Sequence, residues 1–588
     1  MTVGSAASIV SELAKAGTTV MFGLPGGGPN LDVIGAAEAA GMRFVLTHGE
    51  SAAVIMAATH ADLTGTPGAA VVTRGPGLAS AMNGVAHAAL DRLPVIVIAD
   101  TVRAAESDRI SHQRLDQEAL GRAVAKTLVT VGGTGAEKAA ARAVRDALAP
   151  PAGPVIALMD DSDTGPGDDR AVSAAAAEDS RPGTHDGLAY LADALRRARR
   201  PVLLLGAAAI PHTAAIRGAV LGSGVPALHT YRARGILPDS AAEAAGLVTG
   251  GTAEWPLLAA ADLIVALGVD EAEMIPAAWE YTARTVLVTG HPAADGESGY
   301  FTGASTVAAP LPTAIGVLAD GAGGHDWPPG VGRAARLDAV RRLTDAAVAG
   351  PGTLAPQRIA AIVRAQTPPD TVATVDAGAH MLVAMPLWEV AEPRRLLTSS
   401  GLATMGFALP AAIAAACCAP GSPVVAFTGD GGLGMTLAEI ETAVRLRLPV
   451  VVIVFNDAAL SLIKIKQRPA GHGGTAAVDY RPVSYAAIAT AMGAAGASVA
   501  TEADLAAALR EALRRDGPTV IDVAVDAAGY PAVLELSRGA AGRQSLRLGR
   551  QSKKNEPELL TRRVRSGHYR SEVPGRCRRD PTGPVHRR

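Results

Sequence analysis

Between residues 423 and 457 the chain reads Pro423-Val424-Val425-Ala426-Phe427-Thr428-Gly429-Asp430-Gly431-Gly432-Leu433-Gly434, then an amphipathic stretch, then Pro449-Val450-Val451-Val452-Ile453-Val454-Phe455-Asn456-Asp457. Two short β-branched runs flanking an amphipathic segment predict a strand–loop–helix–strand unit with polar residues at both strand ends. In open parallel sheets ligands bind beyond the carboxyl ends of the strands, which is where this pattern puts Asp430 and Asn456. Their separation of 26 residues is what one loop, one helix and one strand consume. The two side chains are therefore predicted to face each other across neighbouring strand tips.

The same alternation fills most of the chain. Over residues 1–165 the pattern predicts helices at 6–16, 51–61 and 78–90 and strands at 19–23, 43–47, 69–73 and 95–99, with a turn at Leu24-Pro25-Gly26-Gly27-Gly28-Pro29. A stretch rich in Gly, Asp and Pro at 160–181 reads as a linker. A second unit, 186–335, carries strand signals at 201–205, 225–228, 263–267 and 285–288, and the Gly- and Pro-rich segment 321–332 reads as the next linker. A third unit, 353–537, adds strands at 371–375 and 519–525 to the opening pair. The fold class expected is α/β, as three doubly wound parallel-sheet domains. Their similar size raises duplication, although no residue-level repeat is found. Beyond residue 536 the periodicity fails, and 538–588 is expected to be a disordered basic tail.

Composition supports this division. A chain of 588 residues exceeds one core. Few aromatics, at 3%, with abundant Ala, Val and Gly suit helices packed closely on β-branched strands. The net charge of −2 hides a split: residues 538–588 hold 15 Lys or Arg against 4 Asp or Glu, whereas 1–537 hold 39 against 52. The acidic body gives no electrostatic case for nucleic acid or an anionic membrane. The tail could touch RNA or an acidic partner, be an inert extension, or reflect a late change of reading frame. Cys417 and Cys418 sit in an Ala-rich run and, with Cys577, read as small residues of a reducing compartment rather than a disulfide or metal set. No apolar run approaches the ~18 residues of a membrane span, and a cytoplasmic protein is expected.

Gly429-x-Gly431-x-x-Gly434 formally satisfies the dinucleotide fingerprint, which would make the chain an NAD-dependent dehydrogenase. In that fingerprint pyrophosphate rests on backbone amides without a metal. Here Asp430 would stand beside it, and like charges ~4 Å apart repel by ~4 kcal/mol at an effective dielectric of 20. A divalent cation reverses that sign. Mg²⁺ takes hard oxygen ligands, and Asp430, the Asn456 carboxamide and a backbone carbonyl just beyond it, at Ala458, can supply them. Gly431 and Gly432 would allow phosphates close to the backbone.

Gly429-Asp430-Gly431 with Asn456 resembles the thiamine diphosphate signature of the acetolactate synthase, pyruvate oxidase and 2-oxoacid decarboxylase superfamily, and the likeness extends over residues 1–537. Further stretches resemble its motifs. Phe22-Gly23-Leu24-Pro25-Gly26-Gly27 is similar to the first strand–turn, Thr47-His48-Gly49-Glu50 to the strand end carrying the catalytic glutamate, and Arg74-Gly75-Pro76-Gly77 with Asn83-Gly84 to a Gly-Pro-Gly turn and helix. Gln113 resembles a glutamine beside the reacting centre. Asp376-Ala377-Gly378-Ala379-His380 resembles the diphosphate loop, and Gly401 to Phe407, with Met405, the segment bracing the bent cofactor.

The resemblance implies a pyrimidine domain, a central domain and a diphosphate domain binding thiamine diphosphate and Mg²⁺. It implies catalytic roles for Glu50 and Gln113. Cofactor contacts fall at Gly26, Gly27, Asn83, Gly378, His380, Met405, Gly429, Asp430, Gly431, Gly432 and Asn456, and metal contacts at Asp430, Asn456 and Ala458. A carboxyl group at Glu50 suits the chemistry, because a bond to the pyrimidine ring favours the tautomer that removes the thiazolium proton. His48, lacking a second His at helical spacing, reads as a packed or hydrogen-bonded residue. Ile465 stands where acetolactate synthase places a pocket tryptophan, and Leu267-Gly268-Val269-Asp270-Glu271 lacks that enzyme's arginine and aromatic, which weakens the case for FAD. Acetolactate synthase-like carboligation of a 2-oxo acid is the first expectation. Decarboxylation without carboligation, benzoylformate decarboxylase-like, is the second. A homodimer or homotetramer with sites at the chain interface is implied.

Overall fold

A computed structural model describes residues 4–102, 109–160, 185–290, 299–321, 323–467 and 476–539. It contains three six-stranded sheets in which every paired strand is parallel. The first holds β1 (Val20–Leu24), β2 (Arg43–Leu46), β3 (Gly68–Val72), β4 (Val95–Asp100), β5 (Thr127–Gly132) and β6 (Val155–Asp160) in the order β2-β1-β3-β4-β6-β5. The second holds β7 (Pro201–Leu205), β8 (Ala227–His229), β9 (Ala244–Leu247), β10 (Leu263–Leu267), β11 (Arg284–Thr289) and β12 (Ser305–Ala308) in the order β12-β11-β10-β7-β8-β9. The third holds β13 (Val372–Val375), β14 (Leu396–Thr398), β15 (Val424–Gly429), β16 (Val450–Asn456), β17 (Ala495–Val499) and β18 (Thr519–Ala524) in the order β14-β13-β15-β16-β18-β17. The outer sheets thus share one topology, and the middle one has the dinucleotide-fold order.

Helices cover both faces, so the strands are apolar runs without alternation. In β16 only Asn456, at the carboxyl end, escapes full burial. The helix Glu50–Thr64 is buried along residues 52–61 and packs against Ala408–Cys418 of the third unit. Alanines on both helices let their axes approach, and one hydrophobic core runs from the first sheet to the third. The first and third sequence units therefore share an interior.

The opening prediction holds: β15 and β16 are neighbours, Gly429 opposite Phe455, with Asp430 and Asn456 at adjoining tips. The helix Val331–Asp345 begins inside the segment read as a linker, where 323–330 lack helix. Strands β9, β12, β14 and β17 are short runs with few β-branched residues and were not predicted; β5 (TLVTVG) and β6 (VIALMD) were not predicted either, although both are six-residue strands that carry β-branched residues. Most of the basic tail, residues 540–588 with Cys577, lies outside the described residues. Cys417 and Cys418 are free and half-buried, and burial pushes both thiols upward, Cys418 to about 12. Among the described residues no helix is long and apolar enough to cross a membrane.

Candidate functional site

The chain leaves β13 toward one edge of the third sheet and β15 toward the other, which opens a crevice between their tips. Asp376 follows β13 and is 1% exposed; it accepts the Ala408 amide at 2.7 Å and the Thr428 hydroxyl at 2.5 Å. Burial pushes its carboxyl up to about 6. Asp430 starts a helix directly after β15. Its two carboxylate oxygens accept the amides of Gly431 at 2.7 Å and Ala459 at 3.0 Å, and its carbonyl accepts the Tyr485 hydroxyl at 2.7 Å. Burial, and then the neighbouring Asp457, push Asp430 up to about 6. A cation would relieve both effects.

Asn456 donates its amide nitrogen to the Val483 carbonyl and to Asp522 Oδ1, both at 2.9 Å. That leaves Oδ1 as the atom free for a further partner. Ala458 adopts φ +53°, and its carbonyl accepts the Tyr480 amide at 2.7 Å, retaining one lone pair. One carboxylate, one carboxamide oxygen and one carbonyl make the hard, oxygen-only set that Mg²⁺ accepts alongside phosphate oxygens. Among the described residues no group of three or more His, Cys, Asp or Glu could hold a metal ion.

His380 closes the crevice. It is 4% exposed, stacks on Phe455 at 5.4 Å, and burial lowers its pKa to about 4, so the ring is neutral at pH 7. Its Nε2 is buried without a hydrogen-bond partner, while its Cε1 and Nδ1 each lie 3.4 Å from the Cβ position of Gly429. Gly378 lies under the same ring, 2.6 Å separating its would-be Cβ from His380 Cε1. A Cβ on Gly432 would fall 2.3 Å from Asp376 Oδ2, and one on Gly431 would fall 2.9 Å from Leu460 Cδ2 and 3.3 Å from Met405 Cε. These observations fit a diphosphate: bare backbone, an unmet imidazole nitrogen and an oxygen set for its metal.

Met405 is half-buried on a loop gripped by one face of the helix Pro76–Leu90 and the residue following it. Asn83 donates to Thr404 Oγ1 at 2.9 Å, His87 meets Ser399 Oγ at 3.0 Å, and Asp91 accepts the amides of Ser400 at 3.2 Å and Gly401 at 2.6 Å. Asn83, expected as a cofactor contact, bonds Thr404 of the Met405 loop.

At the first sheet, Glu50 opens its helix at the β2 tip and is half-buried. The turn before it is clipped by Glu439, whose Oε1 accepts the His48 amide at 2.9 Å and the Gly49 amide at 3.0 Å. His48 pairs with Glu441 at 2.7 Å. Gly77 leaves room beside Glu50: a Cβ there would come 3.6 Å from Oε1 and 2.8 Å from Thr73 Cγ2. Gly26 donates its amide to Asn30 at 2.8 Å, while Gly27 is exposed with nothing near its missing Cβ. Of the two, Gly27 has the open amide side. Gln113, exposed and at φ +57°, lies over the Gly75 turn at the tip of β3.

Sequence reasoning missed Glu439, Asp91, Tyr485 and Asp522. Only Asp522 had a signal, as a lone acid in the apolar strand β18. Lys464 pairs with Asp479 at 2.8 Å, both side chains about a third exposed.

The middle sheet has the topology for a dinucleotide, but its crevice between β7 and β10 is filled from within. The Glu273 carboxylate, 5% exposed, accepts the Ala207 amide through both oxygens, at 3.0 and 3.1 Å, together with the Asp270 amide and the Thr230 hydroxyl. A pyrophosphate would need those same donors. The residues present therefore do not fit FAD.

Three families match the chain: "Thiamine pyrophosphate enzyme, N-terminal TPP binding domain" over residues 3–120, the central domain over 188–298 and the C-terminal TPP binding domain over 376–523. An acetolactate synthase of Bacillus subtilis is 29% identical over 543 residues, spanning 88% of this chain and 92% of that protein. A 2-hydroxyacyl-CoA lyase of Oryza sativa is 30% identical over 581 residues, spanning 90% and 96%. In fold, the chain is similar to a thiamine diphosphate-dependent 4-hydroxybenzoylformate decarboxylase of Rhodococcus jostii, with TM-score 0.73 and 22% identity over 89% of this chain and 99% of that one. Matches to all three domains, in order along the chain, mean that the chain belongs to the thiamine pyrophosphate-dependent enzymes of the acetolactate synthase-like group.

Proposed function

We propose that the chain is a Mg²⁺- and thiamine diphosphate-dependent enzyme that decarboxylates a 2-oxo acid and joins the remaining fragment to a second carbonyl compound, as an acetolactate synthase does. The observation that carries this reading is the β13/β15 crevice, where His380 Nε2 lacks a partner and Asp430, Asn456 and Ala458 present oxygens. When bound, thiamine diphosphate supplies the nucleophilic carbon and the electron sink for loss of CO₂. Asp430, the Asn456 carboxamide and the Ala458 carbonyl would hold Mg²⁺, and His380 would meet a diphosphate oxygen. Met405, braced by Asn83 and Asp91 through its loop, would support the cofactor's bend. Glu50 would exchange a proton with the pyrimidine ring from its carboxyl oxygen, and the Gly27 amide and Gln113 would face the substrate. The acetolactate synthase relatives support carboligation.

A homo-oligomer whose sites join two chains fits this reading. Met435, Ile463, Tyr480 and Val483 are exposed around the Asp430–Asn456 tips, and Leu31 and Leu115 around the Glu50 end, which leaves apolar surface at both half-sites. Incubation with a panel of 2-oxo acids, detecting CO₂ and condensed products by mass spectrometry, tests the activity. Condensation of pyruvate is expected, and aldehyde as the sole product would replace carboligation with decarboxylation. Calorimetry with thiamine diphosphate should show Mg²⁺-dependent binding; tight NAD binding without it would overturn the cofactor reading.

A further inference from the structure

The turn that presents Glu50 is held from outside its own sheet. Each residue from Leu46, the last of β2, to Gly49 is tied down. The Thr47 amide donates to the Gly23 carbonyl of β1 at 2.9 Å. The other three are held by one short helix of the third unit, Glu439–Arg445. Arg445 Nη2 donates to the Leu46 carbonyl at 2.7 Å, and Glu439 Oε1 accepts the amides of both His48 and Gly49. The His48 ring meets Glu441, which Arg445 Nε also bonds at 3.2 Å. Leu437 and Ala438, both right-handed helical, join this helix to Asp430–Thr436. The clamping side chains therefore stand on a continuous helical stretch, which fixes a geometry more firmly than a loop does.

Glu439 is the unusual member of the clamp. It is 2% exposed, and its Oε2 accepts the Thr442 hydroxyl at 2.7 Å. Burial pushes its carboxyl up, and no lysine or arginine pairs with it among the described residues. Taking a carboxylate out of water is costly and is offset only where donors are aimed at it. Two of its three donors belong to the two residues that precede Glu50. No side chain caps the helix at Gly49, so these long-range bonds are what fix the approach of the chain to Glu50.

We propose that Glu439 is a positioning residue for Glu50: by drawing the His48 and Gly49 amides onto one carboxylate oxygen, it fixes the Glu50 carboxyl where that group exchanges a proton with the cofactor's pyrimidine ring. The inference rests on the role of Glu50 proposed above. Glu439 acts through the turn and not on the reacting atoms. A misplacement of about 1 Å costs up to about 100-fold in rate. A loosened turn is therefore expected to slow proton exchange while the affinity carried by the diphosphate crevice is kept.

The test reads that exchange without turnover. Thiamine diphosphate bound to the full chain with Mg²⁺ is placed in deuterium oxide, and loss of the thiazolium C2 proton is followed by acid quench and NMR. Glu439→Ala is expected to slow the exchange about 10- to 100-fold, with the cofactor dissociation constant near the parent value. Glu439→Gln keeps an oxygen acceptor at the same place and should restore most of the rate. In the Glu50→Gln background Glu439→Ala should cause no further slowing, because a residue that acts through Glu50 then has nothing to position. Amide hydrogen exchange of the cofactor-free Glu439→Ala chain should be faster at residues 48–50 and parental in β15 and β16. An unchanged C2 exchange rate in Glu439→Ala, losses that multiply in the double variant, or Glu439→Gln as slow as Glu439→Ala would each overturn the proposal. So would faster amide exchange throughout Glu439→Ala, which would make the contact a support of the fold. If Glu50→Gln itself exchanges at the parent rate, the role of Glu50 falls and the proposal with it; if Glu50→Gln is slow and Glu439→Ala is not, the positioning alone falls.

Discussion

Gly432→Ala tests whether the β13/β15 crevice is as tight as its geometry implies. A Cβ at 432 would sit 2.3 Å from Asp376 Oδ2 and 2.9 Å from Thr428 Oγ1, where ordinary contact begins at 3.4 Å. Relief requires a shift of roughly 1 Å by one side of the contact. Asp376 cannot swing freely, because Ala408 N–H at 2.7 Å and Thr428 O–H at 2.5 Å both hold its carboxylate. Losing one such bond costs about 1.5–3 kcal/mol, and overpacking a filled interior costs about 1–3 kcal/mol. Against this, alanine gains at most ~1 kcal/mol of helix propensity over glycine. The cost wins, leaving about 1–3 kcal/mol, which corresponds to roughly 10- to 100-fold in thiamine diphosphate affinity if the strain falls on the bound state. Calorimetry with Mg²⁺ present reads the affinity and urea unfolding reads the stability. Gly323→Ala is the control, since Gly323 is exposed with nothing within 4 Å of its Cβ position, and it should stay within ~0.5 kcal/mol of the parent. Parental affinity and unfolding midpoint in Gly432→Ala would refute the packing argument.

Glu50→Gln should bind thiamine diphosphate normally and lose about 10²–10⁴ in turnover, the range for a general acid–base group; undiminished product formation would remove Glu50 from that role. Asp91→Asn removes one acceptor for the Ser400 and Gly401 amides and loosens the Met405 loop. Its cofactor affinity should fall about tenfold, measured as the dissociation constant with Mg²⁺ saturating. Burial lowers His229 to about 4, below its ordinary 6.5, so the folded middle domain binds fewer protons there than the unfolded chain between those values. The stability this adds is complete above pH 6.5 and is lost as pH falls toward 4, by up to ~1.4 kcal/mol per pH unit. The stability difference between the parent and His229→Gln should shrink over that window. Tryptophan fluorescence is a suitable probe, because Trp255, Trp279 and Trp327 all lie in the middle domain, and a pH-independent difference would contradict the burial argument.

The strand pair at 424–429 and 450–456 was legible because β-branched runs buried on both faces leave a signal that neighbours cannot disguise, and a short loop and helix fix what adjoins what. Strands as short as β14 (Leu396–Thr398), or as small-residue as β17 with Ala-Gly-Ala-Ser-Val, carry little local preference and form only because β13 and β18 offer an edge. The aspartate and asparagine of the candidate site could be named from strand-tip spacing, and the glutamate from the resemblance of Thr47-His48-Gly49-Glu50 to the family's motif. Their supports could not: Glu439 lies about 390 residues from the turn it clips, and Asp91 about 310 from the loop it holds.

The sequence by itself determined the three α/β units, the strand-tip positions of Asp430 and Asn456, and the conflict between a carboxylate and a bare pyrophosphate, because each depends on local periodicity and charge. Only the tertiary structure decided that Glu273 fills the dinucleotide crevice, that Asn83 bonds Thr404 of the Met405 loop and that His380 keeps an unmet nitrogen. Those outcomes turn on which buried donors and acceptors find partners. Pairing of that kind is set by chain segments brought together across hundreds of residues, and no local pattern records it.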